Sequence, residues 1–194
     1  MLGERLGLEV EVVGDRHIRA RGAVRGHPTI VEIEGGGGKR EFFRFLFGNN
    51  TIGSRNRRDH WHTVLAVGCT NPSGSTGTIT SAVDVNDPAW TPGAYDPRNG
   101  RKVTTDPPSL AELALTPDIR ERLMGVVPDL SIEVQPTFVR LDVQDTAMPG
   151  GASYVAGSPI HQYQGSPPPW PERALVGPPW WIDLLASIAD ALDR

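Results

Sequence analysis

The sequence predicts an α+β protein: a mostly antiparallel sheet of about seven or eight strands, two short central helices and a C-terminal helix. Three observations predict it. Apolar and polar residues alternate with a period of two through much of residues 8–85 and again through 130–144. Helix-start signals cluster between Ser109 and Asp118, and the chain closes on an apolar stripe at helical spacing.

The elements follow in order. After a short leading turn or helix, "LGERLG", the segment "LEVEVV" sets Leu8, Val10 and Val12 against Glu9 and Glu11. "HIRARGAVRG" alternates Ile18, Ala20 and Val24 with Arg19, Arg21 and Arg25, and "TIVEIE" carries Glu32 and Glu34 on its polar side. Glutamate-, arginine- and glutamate-bearing strands in succession predict a meander with cross-strand ion pairs on its wet face. "EGGGGKR" reads as a hairpin tip, since no helix follows it as a phosphate loop requires. "EFFRFLF" reads as a strand with Phe43, Phe45 and Phe47 on one face, and "FGNNTIGSRNRRD" as a basic loop. "HWHTVLAVGC" has apolar residues on both faces, the mark of a central strand, and "GTITSAVDV" is a further strand.

Residues 86–108 read as one long loop around Trp90 and Tyr95, carrying function or packing by its aromatics. Ser109 with Glu112 predicts a capping box, and Thr116-Pro117-Asp118 a second helix start. "LSIEVQ" and "FVRLDVQ" pair as a hairpin across Pro136-Thr137. The organisation is therefore an α+β domain over 1–147, a Pro/Gly-rich arm or linker over 148–179, and an amphipathic helix over 180–194 docked on the domain.

Composition limits function. The net charge of −4 argues against general nucleic-acid binding, although residues 1–62 carry net +3 and residues 63–194 net −7. Lys39 and Lys102 are the only lysines, an arginine bias of the kind a GC-rich bacterial genome produces. A single cysteine, Cys69, allows no internal disulfide and no CxxC motif. The N-terminus lacks the apolar core of a signal peptide and no apolar run reaches membrane-spanning length, so no membrane insertion and a cytoplasmic location are expected.

Several short motifs occur in a set order: a leading "LGL", Gly22-x-Val24-x-Gly26 within "RGAVRG", "NDPAW", "VTTDPP", "LALTPDIRERL", "LSIEV" and "FVRLDV". Over residues 5–143 this order resembles an uncharacterised bacterial domain family of actinobacterial type. The resemblance implies that Asp87-Pro88 and Thr116-Pro117 are architectural, and it lends no catalytic residue. His60, His62 and everything beyond residue 148 lie outside its pattern.

Three candidate sites emerge. His60 and His62 share one side of a strand, the start of a zinc site that still needs a third ligand and, for catalysis, an open position. Cys69 falls on the other side. Arg55, Arg57 and Arg58 crowd one loop and suit a phosphate or acidic ligand. Trp170 in "SPPPWPER" and the helical stripe of Trp181, Leu184, Leu185 and Ile188 suit a protein partner, unless arm and helix fold back on the body. No G-x-S-x-G elbow and no dinucleotide fingerprint occurs. The expectation is a non-enzymatic intracellular binding or scaffolding protein without a cofactor. A zinc-dependent hydrolase at His60 and His62 is the runner-up, and an anion or phosphate-ligand binder at Arg55, Arg57 and Arg58 comes third.

Overall fold

The structure, a computed structural model, describes residues 7–14, 17–36, 60–92, 96, 98–127, 129–145, 154–155 and 178–194. The fold is α+β, built on an open antiparallel sheet of eight strands. In chain order these are β1 (Glu9–Gly14), β2 (His17–Val24), β3 (His27–Gly36), β4 (His60–Gly68), β5 (Gly77–Val83), β6 (Arg101–Asp106), β8 (Leu130–Val134) and β9 (Phe138–Asp145), with β7 (Val126–Val127) set apart. Their spatial order is β1-β2-β3-β4-β9-β8-β5-β6, every neighbouring pair antiparallel. The meander β1–β4 forms one half. The chain then crosses to build β5 and β6 at the far edge, and β8 and β9 return to fill the gap. A small second sheet pairs β7 with β10 (Tyr154–Val155).

The period of two does what it predicts. One cross-strand row runs Ala20, Val31, Leu65, Leu141, Ile132 and Ile79 through six strands, all buried. The neighbouring row on the other face runs Arg21, Ile30, Ala66, Arg140, Glu133 and Thr78. Arg19 and Glu32 on that face form the expected ion pair at 2.8 Å. β4 is central, with Thr63, Leu65 and Val67 buried and Val64 and Ala66 half-buried on the opposite side.

Three helices are described: α1 (Leu110–Ala114), α2 (Pro117–Met124) and α3 (Pro178–Leu192). α3 lies on the apolar face of the sheet, against β2, β3, β4 and β9, with α1 and α2 beside it. From Trp181 to Leu192 every residue is buried except Asp183, Ser187 and Asp190. A helix apolar on nearly all sides is a core element, and α3 supplies the filling of the second layer.

Two sequence expectations are corrected. The long loop of 86–108 ends early, because residues 101–106 form β6. Its alternation is disguised by Arg101, an arginine in an inward position with its side chain 2% exposed. That guanidinium is satisfied by Asp129 at 3.1 Å and by the Ser81 carbonyl at 3.1 Å, so burial is tolerated. In the remaining loop Trp90 lies against Gly100, closer than any Cβ there would allow. The capping box at Ser109 is absent: Ser109 is already helical in backbone and makes no side-chain cap. The carbonyls of Pro107 and Pro108 accept from Leu110 and Ala111 instead. Thr116 caps α2 as expected, its hydroxyl accepting from the Ile119 amide at 3.3 Å.

Candidate functional site

The densest set of ionisable groups among the described residues lies where α3 meets the β2–β3 turn. Arg25 and Gly26 form that turn with φ values of 51° and 85°, the two left-handed positions a type I′ hairpin needs. The turn aims Arg25 at the one polar stripe of α3. Arg25 pairs with Asp183, donates to the Ser187 hydroxyl at 3.0 Å and reaches Asp190 at 3.2 Å. From the other side Arg122 of α2 donates to Asp183 at 3.0 Å and to Ser187 at 3.2 Å, and stacks over Trp180. His27, nearly buried, sets Nε2 2.8 Å from Asp190 and Nδ1 3.8 Å from Asp193. Asp193 accepts the amides of Thr70 and Asn71 at 2.8 and 3.0 Å, tying the end of α3 to the turn after β4.

The clasp solves an electrostatic problem. Carboxylates in the last turn of a helix oppose its dipole, and α3 carries no basic residue there. Tertiary partners replace local ones. Burial alone would raise both carboxyls. For Asp190 the hydrogen bonds from His27 and Arg25 outweigh it, and for Asp193 the Asn71 and Thr70 amides do, so both fall below the ordinary value. A depressed folded-state pKa means the stabilisation is complete above the unfolded value and vanishes as pH falls through the folded one. Thermal unfolding followed from pH 6 to pH 2 is therefore expected to show stability falling below about pH 4, less steeply in an Asp190→Asn/Asp193→Asn variant.

Chemically the clasp is saturated. The Ser187 hydroxyl donates to the Asp183 carbonyl at 2.8 Å and accepts from two guanidiniums, so no base is placed to take its proton. Burial and the charge of Asp193 push the Cys69 thiol up to about 11, which leaves little thiolate at neutral pH. On the far edge Lys102 lies 2.9 Å from Asp84 and 3.0 Å from Asp87. Hydrogen bonds to those carboxylates hold its ammonium protonated. The Lys102 bond chiefly holds Asp84 below the ordinary range, and the Ala89 amide chiefly does so for Asp87.

The sequence-predicted residues fall as follows. His60 and His62 open β4, and the register sets His62 opposite Glu34 of β3 and Gln144 of β9, while Glu34 stands opposite His17 of β2. Among the described side chains no group of three metal-ligating residues occurs. Arg55, Arg57, Arg58 and Trp170 lie outside the described residues, as does the expected strand at 41–47. Trp181, Leu184, Leu185 and Ile188 are at most 3% exposed and belong to the core, so the partner-binding stripe is spent on the body of the chain. An isolated helix would offer that stripe; a sheet with an uncovered apolar face takes it first.

The clasp was missed in the sequence. Its one signal was the spacing of Asp183, Ser187 and Asp190, polar residues along a single line of an otherwise apolar helix. No described helix is long and apolar enough to cross a membrane. No family model matches the chain, and neither a curated protein nor a solved structure matches it.

Proposed function

We propose that this chain is a non-enzymatic binding or scaffolding protein that acts inside the cell on a protein partner, and a member of the bacterial family it resembles over residues 5–143. One observation carries the reading. The carboxyls of Asp84, Asp87, Asp190 and Asp193 are held low, the Lys102 ammonium is held high, and the Cys69 thiol sits at about 11. General acid–base catalysis needs the opposite, a group poised near the working pH. These ionisable groups fasten elements together. The test uses the full chain, purified without a tag, with p-nitrophenyl acetate, p-nitrophenyl phosphate and bis(p-nitrophenyl) phosphate, each with and without added zinc. The reading expects no turnover above buffer. Turnover lost in His60→Ala/His62→Ala would overturn it.

A second reading, a divalent-metal site at the start of β4, is favoured by the register. Two histidines at i and i+2 on one strand with a glutamate directly across on the next make a two-histidine, one-carboxylate set of the kind that binds zinc or iron. Under this reading the untagged protein carries one equivalent of metal per chain, lost in His60→Ala/His62→Ala and weakened in Glu34→Ala. Metal content that ignores these substitutions removes it.

A further inference from the structure

The two edges of the sheet are treated differently. At the β6 edge the Arg120 guanidinium donates to the Val103 carbonyl at 3.3 Å, α2 packs alongside, and Lys102 is drawn off by Asp84 and Asp87. That edge is partly occupied. β1, at the other end, pairs only with β2 among the described strands, and all of it but Val10 is exposed. Val12 and Val13 are 55% and 47% exposed. An uncovered edge strand presents a row of backbone donors and acceptors to any further strand.

The side chains of β1 say which strand fits. Register places Val10 opposite Ala20 and Val12 opposite Ile18, both core residues, so an added strand needs apolar residues on that face to continue the core. Glu9 and Glu11 occupy the other face, opposite Arg21 and Arg19. Arg19 gives its Nε to Glu32, and neither glutamate makes an ion pair among the described residues. Among the described residues no cation stands on their outer flanks. A second copy of the chain supplies no cation to these positions: antiparallel on itself, β1 sets Glu9 opposite Gly14 and Glu11 opposite Val12 in its fullest register, and Glu11 opposite Glu11 in a register one residue away. Like charges directly opposite one another destabilise a strand pair.

We propose that the edge of β1, unpaired among the described strands, takes an extended protein segment alternating apolar and basic residues, added to the sheet as a ninth strand. Lysine or arginine side chains of the segment meet Glu9 and Glu11, and its apolar residues extend the surface of Val10 and Val12. This rests on the binding-protein reading and names the chemistry of the partner. The two glutamates favour a basic partner.

The test is fluorescence anisotropy of the full chain with a labelled synthetic peptide alternating valine and lysine. Saturable binding is expected. Replacing the peptide lysines with glutamates is expected to weaken it about tenfold or more, as is Glu9→Lys/Glu11→Lys on the protein. Combining the two reversals restores binding. N-methylating the alternate peptide amides that face β1 removes it, because the ladder bonds are lost. Peptide-side reversal needs no protein variant, so a misfolded double mutant leaves the test intact. Absence of saturable binding to the folded wild type, or affinity indifferent to charge reversal, overturns the inference. If the peptide fails while the p-nitrophenyl substrates stay unhydrolysed, only the edge assignment falls. Turnover that depends on His60 and His62 would instead remove the reading beneath it.

Discussion

Replacing Leu184 with alanine is expected to destabilise the whole fold by about 2–5 kcal/mol, the cost of a buried leucine lost with little room to relax. Leu184 is fully buried on α3, the helix that lies on β4 and β9. Total stabilities are about 5–15 kcal/mol, so this one change removes a large part of the reserve. Urea unfolding checks it: the midpoint should fall with the slope unchanged, and far-UV and near-UV signals should move together. A detachable terminal helix would behave otherwise, losing helical signal before the sheet unfolds.

The second large effect is at Gly77, where β5 begins. A Cβ on this residue would lie 2.1 Å from the Asp106 carbonyl oxygen and 2.8 Å from Pro107 Cδ. The obstruction is backbone, which a rotamer change cannot relieve. Gly77→Ala must therefore push β5 away from the end of β6, where Thr78 stands opposite Asp106. Overpacking of this kind costs about 1–3 kcal/mol. Thermal melting of Gly77→Ala against Gly74→Ala, at a glycine with open space around it, separates steric obstruction from a general glycine effect.

Much of the strand content was legible because the period of two is local. "HIRARGAV" and "TIVEIE" declare their inward faces without reference to anything distant. The order of the strands was not legible. Nothing in "GTITSAV" says that it pairs with β8, a strand some fifty residues on in the sequence, while β9 lies beside β4. β6 was hidden for a chemical reason: an inward arginine looks polar until Asp129 and Ser81 are seen to satisfy it. The stripe of α3 was legible, and of its two readings, a partner surface or a helix docked on the domain, burial of Trp181, Leu184, Leu185 and Ile188 matches the second.

The site shows the same division. His60 and His62 two apart are visible in the sequence, but Glu34 enters only through the pairing of β3 with β4. Arg25 and Asp183 are 158 positions apart, and no local pattern connects a hairpin turn to the polar line of a distant helix. The spacing of Glu9 and Glu11 was plain from the start. That they sit on a strand with one neighbour among the described residues, while Arg120 occupies part of the opposite edge, needed the sheet order.

The central claim is that α3 belongs to the core of the fold. Native-state hydrogen exchange at the amides of residues 182–192 tests it most directly. Protection matching the slowest amides of β4 and β9, lost only with global unfolding, is the predicted result. Exchange of α3 at a much lower opening free energy, while β4 and β9 stay protected, would show a releasable helix and contradict the account.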